Sequence, residues 1–411
     1  MDFAIIAETF QKMEATTKRT ELTSLLVELI KNTPNELIAK TVYLLQGILK
    51  PSFVGLELGI AEKLAIRAIA KSSGISVKKI QNEYNIGGDL GETASNILKL
   101  KTQTTFIAEP ITLERVYETL LKIANLGGKG SQDLKIKYIS SLLNDATPTE
   151  GKFVLKILLG VLRLGIAENT VMDALAITFT GRKENRTQIE NAYNVSSDLG
   201  KVSEIIANQG IDGIKKFKIA LFNPIRPMLA DRVISEEEAV KKISNKFAAE
   251  YKLDGERVQI HKKDNKIILF SRSLEKITQY YPDIVENIGK SLNTKEGIFE
   301  AEIVAINENT GKFLPFQELM HRRRKNKLAK AVQEYPITVN FFDILYLNGE
   351  NCLVLPYQQR RKIIEEVVSE DKLSKLIPMT IVETENDVGD VLENSINSGC
   401  EGLMLKVLDA P

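Results

Sequence analysis

Apolar residues in the first half of the chain recur at three- and four-residue spacing. Leu22, Leu25, Leu26, Leu29 and Ile30 form one such stripe; Val154, Ile157, Leu158, Val161 and Leu162 form another. An α-helix puts residues so spaced on one face, so the pattern predicts amphipathic helices. Short Gly, Ser, Pro or Asn segments punctuate the stripes, and residues 1–215 are expected to form an all-α bundle of about a dozen helices. The period then breaks. Residues 216–232 are expected to be a linker, since 221–230 carry two prolines and no helical spacing. Beyond it, β-rich runs at 247–253, 258–262, 267–270, 298–306, 337–347 and 402–407 predict strands. Helical spacing returns at 357–368 and 387–397. This mix predicts a second domain, 233–411, of the α+β class with largely antiparallel sheets.

The helical region also repeats itself. Leu58-Gly59-Ile60-Ala61-Glu62 recurs as Leu164-Gly165-Ile166-Ala167-Glu168, and Asn82-Glu83-Tyr84-Asn85 as Asn191-Ala192-Tyr193-Asn194. Asp89-Leu90-Gly91 then recurs as Asp198-Leu199-Gly200. Order and spacing are kept, which predicts two related halves about a pseudo-two-fold axis. Asp89 and Asp198 each precede a helical stripe. One reading makes them helix caps alone. The other makes the two helix starts, with Gly88 and Ser197 beside them, donors of backbone N–H groups to two phosphates of a duplex. Gly130-Ser131, at the end of the Gly-rich run 127–131, is either a turn or a third phosphate contact.

Composition narrows the options. Only Cys352, Cys400, His261 and His321 carry sulfur or imidazole ligands, and their separation excludes a four-ligand zinc site. Two isolated cysteines suit a reducing, cytoplasmic setting better than a disulfide framework. The start of the chain lacks the charge and apolar core of a signal peptide. The nearest approach to a membrane span, 153–162, is interrupted by Lys156, so no membrane partner is expected. A formal net charge of +1 leaves nucleic acid open, because binding follows local clusters of charge.

The segment richest in chemistry is Glu250-Tyr251-Lys252-Leu253-Asp254-Gly255-Glu256-Arg257. A lysine at a strand end, before an Asp-Gly turn, can point into a cleft, and Arg257 can return to that cleft. Such a lysine becomes a nucleophile once its amine loses a proton. Taken alone, the segment is equally an ordinary hairpin with a surface lysine.

Later segments decide between these. Lys252–Arg257 resembles the K-x-D-G-x-R motif of covalent nucleotidyltransferases. Phe270-Ser271-Arg272, the run from Glu300 to Ala305, the aromatic run from Phe341 to Gly349 and Cys400-Glu401-Gly402-Leu403-Met404-Leu405-Lys406 resemble that superfamily's further motifs in order. Pro227-Met228-Leu229-Ala230, Pro315-Phe316-Gln317 and the paired helical region make the chain similar to ATP-dependent DNA ligases of the archaeal and eukaryotic replicative type, over essentially its whole length. The helical region sets it apart from RNA ligases and capping enzymes, and the motif wording from NAD-dependent ligases.

The resemblance implies roles. Lys252 would take AMP from ATP. Glu250 would accept from the adenine amino group, and Phe342 would stack on the ring. Arg257 and Arg272 would hold phosphate and ribose oxygens. Glu302 and Glu401 would contact ribose or hold Mg²⁺, and Lys406 would neutralise the α-phosphate. Arg322 and Arg323, in a basic run ending at Lys325, are either a solvated loop or contacts to nicked DNA. The implied partner is nicked duplex DNA bound by a monomer, with a sliding clamp as a further candidate. Ligases of this type continue beyond the point matching Pro411 with another lysine-bearing motif and an OB-fold domain. The expectation is therefore a fragment or truncated product lacking that domain, with a nick-occupying protein of partial or no activity as the alternative to a sealing enzyme.

Overall fold

The computed structural model describes residues 1–100, 110–243, 246–324, 332 and 334–411; the side chains at 323 and 324 fall outside that description. Contacts divide the chain into Met1–Lys218 and Ile219–Pro411.

The first unit is helical. Its α-helices are α1 (Phe3–Glu14), α2 (Arg19–Lys31), α3 (Ile38–Leu45), α4 (Glu62–Ser73), α5 (Val77–Gly87), α6 (Leu90–Lys99), α7 (Leu113–Asn125), α8 (Ser131–Asp145), α9 (Pro148–Leu158), α10 (Glu168–Thr180), α11 (Arg186–Ser196) and α12 (Leu199–Ile214). They fall into two sets of six that exchange partners. Helix α4 packs on α8 while α10 packs on α2, and α6 packs on α9 while α12 packs on α3. One core, from Phe3 to Ile214, runs through both sets.

The repeated residues explain the exchange. Asp89 and Asp198 each accept from the backbone N–H three residues on, Glu92 and Lys201, both at 2.9 Å. The glycine two places after each aspartate lies where a side chain would collide with the opposite set. A Cβ on Gly91 would stand 2.8 Å from Lys156 Cγ of α9, and one on Gly200 would enter the Tyr43 ring of α3. Asp-Leu-Gly is thus a cap followed by a close helix crossing. The repeated tyrosines reach back across each set: Tyr84 donates to Glu62 at 2.6 Å and Tyr193 to Glu168 at 2.5 Å. Tyr193→Phe is expected to lower the stability of this unit by about 1.5 kcal/mol, as for a hydrogen bond to a charged group. Tyr84→Phe should cost less, because Tyr84 is more exposed. Denaturation midpoints read both, and equal losses would contradict the burial argument.

The stripe expected to run to Leu162 stops at Leu158, where Gly160 turns the chain at φ 67°. Helix α9 is buried on every side, so the lysines that interrupt its apolar run are inside. Lys156 pairs with Glu14 at 2.8 Å and Asp89 at 3.0 Å; Lys152 pairs with Glu14 at 2.7 Å and Glu92 at 2.5 Å.

The second unit carries two sheets. The smaller has β1 (Phe247–Lys252) between β8 (Met379–Val382) and β9 (Gly402–Val407), antiparallel throughout. Helix Glu385–Asn397, started by a Thr384/Asp387 capping box, covers it. The larger has the order β3 (Lys266–Ser271), β2 (Glu256–Lys263), β4 (Glu296–Ala305), β5 (Ile337–Leu347), β6 (Glu350–Asn351). A short β7 (Ser374–Leu376) lies parallel to β5, the one departure from antiparallel pairing among the described strands. Helices Pro282–Ser291, Phe316–Arg324 and Tyr357–Val367 pack on this sheet or its edges.

The proline-bearing stretch is held by the larger sheet. Gln259 accepts from Ile225 N at 2.7 Å and donates to Ile225 O at 3.0 Å; Phe222 N donates to His261 Nδ1 at 2.9 Å. His261 is fully buried, and burial pushes its pKa down to about 3. The neutral ring accepts at Nδ1 and therefore donates from Nε2 to Gln259 Oε1.

Candidate active site

The two sheets meet at Asp254-Gly255. A Cβ on Gly255 would run into the carbonyl oxygen of Ile303 in β4, so only glycine lets the chain step from β1 to β2 here. Asp254 accepts from Phe316 N at 3.1 Å, which ties the start of helix Phe316–Arg324 to the turn. Behind the turn, Leu253, Val304, Ile377 and Cys400 form a small apolar floor that Tyr251, Phe313 and Phe342 complete.

Lys252 ends β1 with its side chain nearly half exposed. Its amine pairs with the Glu401 carboxylate, and its carbonyl accepts from Glu401 N at 2.8 Å. Residues predicted from distant segments converge around it. Arg257, the second residue of β2, stands opposite Glu302 of β4. Its guanidinium lies 5.4 Å from the centre of the Phe342 ring, and Lys406 from β9 lies over the same ring at 5.1 Å. Glu250, 1% exposed, pairs with Lys406 at 2.6 Å. The sequence-based expectation separates Glu250 and Lys406, one at the base and one at the phosphate; in the free protein they neutralise each other. Arg272 lies in an exposed turn after β3, whose Ser271 is opposite Val258, next to Arg257.

The Glu302 carboxyl is strongly perturbed. Burial raises its pKa to about 8, against the pull of Arg257 and Lys252 and with added push from Glu300 and Glu256. The folded state therefore holds this proton more tightly than the unfolded chain does. Its stabilising effect is complete below the ordinary glutamate value and is lost as pH rises to about 8. Between pH 5 and 8 the protein should lose stability relative to Glu302→Gln, and the gap should stay constant above that range. Thermal midpoints across pH test this; a gap that does not move would disprove the shifted titration.

Several residues of the site gave no separate signal in the sequence. Glu300 accepts from Arg257 Nε at 2.8 Å and from Gln259 Nε2 at 2.7 Å, so the buried glutamine that grips Ile225 also fixes the arginine. Alternation places Glu300 on the same face as Glu302, which is the pattern that could have found it. Tyr357 and Arg361 reach Glu250 from helix Tyr357–Val367. Nothing in their spacing points to that contact.

The expected DNA contacts fare unequally. Arg322 is a correction: it is 1% exposed and turned inward, paired with Asp283, donating to Tyr335 O at 3.2 Å and lying 5.6 Å from the Tyr281 ring centre. A buried guanidinium committed to a carboxylate is unavailable to phosphate. The Arg323 side chain and Lys325 lie outside the described residues. In the helical unit, Gly88 and Ser197 take the same left-handed conformation at φ 70° and 51°, each donating its N–H to the repeated tyrosine's carbonyl at 2.7 Å. The carboxylates beside them are engaged as caps, Asp89 also with Lys156 and Asp198 with the Tyr43 hydroxyl at 2.7 Å. Gly130, at φ 83°, caps α8, and Ser131 begins that helix.

Comparison with known proteins adds family context. The family model described as "ATP dependent DNA ligase domain" matches residues 227–411, and "DNA ligase N terminus" matches residues 2–176. The chain is 67% identical over its whole length to the DNA ligase of Nitrosopumilus maritimus (strain SCM1), covering 70% of that protein. It is 44% identical to DNA ligase 2 of Thermofilum pendens, with 99% of this chain and 69% of that protein covered. Among solved structures, Pmar-Lig_PreS3 superposes with a TM-score of 0.53 at 15% identity, covering 98% of this chain and 74% of that one, which speaks for a shared fold. No helix among the described residues is long and apolar enough to cross a membrane.

Proposed function

The chain belongs to the ATP-dependent DNA ligases, and on that premise we propose that it seals nicks through an AMP carried on Lys252. The observation that carries this is the setting of Lys252. It is an accessible amine at a strand end, paired with Glu401 and acting on the Glu302 carboxyl; Glu302 stands opposite Arg257, which with Lys406 flanks the Phe342 ring. The alternative of a protein that only occupies nicks is not the one these relatives favour.

Lys252 Nζ, once deprotonated, attacks the α-phosphorus of ATP. The N–P bond forms as the bond to pyrophosphate breaks. The 5′-phosphate of the nick then takes the AMP, returning the amine. Attack by the 3′-hydroxyl on that phosphate forms the phosphodiester and expels AMP. Each step is an in-line displacement, so the residues act by holding charge and position. Phe342 supports the adenine face. Arrival of the nucleotide replaces the Glu250–Lys406 pair, giving Glu250 to the adenine amino group and Lys406 to the α-phosphate. Arg257, fixed by Glu300, and Arg272 hold phosphate and ribose oxygens.

Glu302 and Glu401 fit a hard divalent cation such as Mg²⁺, which takes one or two carboxylates and fills its shell with phosphate oxygens and water. Among the described residues no group of three or more His, Cys, Asp or Glu side chains is placed to hold a metal ion, so the two glutamates alone would leave most of the shell to phosphate oxygens and water. The cation would supply charge neutralisation on the phosphates. The helical unit would hold the duplex by its backbone, with Gly88–Asp89 and Ser197–Asp198 as the paired contacts and Gly130–Ser131 as a third.

The test follows one label. Protein incubated with α-labelled ATP should gain one AMP. Adding nicked duplex should move the label to the 5′-phosphate and then release it as the strand closes. A label that never leaves the protein when nicked DNA is added would refute the sequence of steps.

A further inference from the structure

We infer that Tyr357 is a positioning residue that sets the purine preference, by pinning Glu250 so that one chosen carboxylate oxygen faces the base. The inference rests on the proposed assignment of Glu250 to the adenine amino group and adds the group that makes the assignment selective.

A glutamate carboxylate can rotate and present either oxygen. Here the two oxygens are distinct. Oε1 accepts from the Tyr357 hydroxyl, and Arg361 stands 3.7 Å from the same oxygen while donating to Ile377 O at 3.1 Å. Oε2 faces Lys406 at 2.6 Å, and Lys406 in turn lies over the Phe342 ring. Lys406 also lies 4.9 Å from the centre of the Tyr357 ring, so it sits between the two rings. With Oε1 taken by helix Tyr357–Val367, Oε2 is the oxygen left for the base once Lys406 turns to the phosphate.

Tyr357 is itself well fixed. It is 2% exposed, and its N–H donates to Ala410 O at 2.8 Å at the start of the helix. Burial, then the charge of Glu250, push its phenol pKa far up, so the hydroxyl remains a donor. An ionised carboxylate carries only lone pairs at either oxygen, so the hydroxyl's part is to hold Oε1 and thereby fix where the remaining acceptor, Oε2, stands against the base edge. Adenine offers an amino group there. A base with a carbonyl at that position would bring two acceptors together, which a desolvated site penalises strongly.

The experiment measures nucleotidyl loading of Lys252 against concentration, as AMP from ATP and as purine riboside monophosphate from purine riboside triphosphate, which lacks the amino group. Tyr357→Phe keeps the ring and removes the donor. The expected result is a KM for ATP raised about tenfold, with kcat changed about twofold or less, and an unchanged KM for purine riboside triphosphate. Equal weakening toward both nucleotides would mark Tyr357 as merely structural and overturn the inference. So would an unchanged preference.

Glu250→Gln decides the matter independently should Tyr357→Phe fail to fold. With the Tyr357 hydroxyl holding the amide oxygen, the amide NH₂ faces the base, and the variant should prefer inosine triphosphate to ATP. Retained preference for ATP over inosine triphosphate would overturn the pinning. If instead Glu250→Gln left discrimination between ATP and purine riboside triphosphate untouched, the base contact itself would be wrong. That result is distinct from a Glu250→Gln effect with none at Tyr357.

Discussion

Lys252→Ala is expected to take no AMP from ATP, and its sealing of nicks to fall on the order of a millionfold, as when other enzymes lose a covalent nucleophile. The loss is chemical. Lys252 is nearly half exposed and its partner Glu401 equally so, so removing the amine strands no buried charge and the thermal midpoint should hardly move. Lys252→Arg is expected to be as inactive as alanine. A guanidinium could keep the Glu401 pair but remains protonated and cannot attack phosphorus. Intact mass after incubation with ATP and a divalent cation reads both variants beside the parent. An adduct that survives on Lys252→Ala would place the nucleophile elsewhere.

Arg322→Ala is expected to produce the opposite profile. Its guanidinium is buried against Asp283, the Tyr335 carbonyl and the Tyr281 ring. Truncation leaves Asp283 facing a void, and breaking such a pair from one side costs about 3 kcal/mol. Asp283 keeps some access to water, which places the cost at the lower end of that class. The unfolding transition of the second unit should fall accordingly. Binding to nicked duplex, measured on protein that remains folded, should keep the salt dependence of the parent, because no phosphate contact has been lost. A shallower salt slope with unchanged stability would restore Arg322 to the DNA interface.

The contrast between these residues shows where reading a chain succeeds. The helices of the first unit were legible because amphipathic spacing records burial directly, and the repeat was legible because caps and close crossings constrain residue type. Asp89-Leu90-Gly91 and Asp198-Leu199-Gly200 needed to be those residues for local reasons. The site segments were legible because their resemblance to a known motif order supplied the long-range assembly. Burial by distant segments was not. Gln259 and His261 lie in a strand whose alternating pattern promises one wet face, yet Phe222 and Ile225 cover that face. The charge run around Arg322 resembles a solvated loop because sequence does not reveal Asp283 across from it. Strands β7 and β8 are three and four residues long, too short for a period to register.

The exchange of partners between the two sets of helices in the first unit has a consequence for how that unit could have arisen and how it must fold. A single set, α1–α6, is not half a domain: α2 and α3 lack the α10 and α12 that cover them, and α4 and α6 lack α8 and α9. An isolated set would therefore satisfy itself most readily with a second copy of the same sequence, as in a domain-swapped dimer. The present chain is that arrangement tied into one molecule, so dimerisation has become intramolecular and independent of concentration. Folding bears the corresponding cost. The pairings of α2 with α10 and of α3 with α12 join residues more than a hundred positions apart, so neither set can be completed until nearly the whole unit is present.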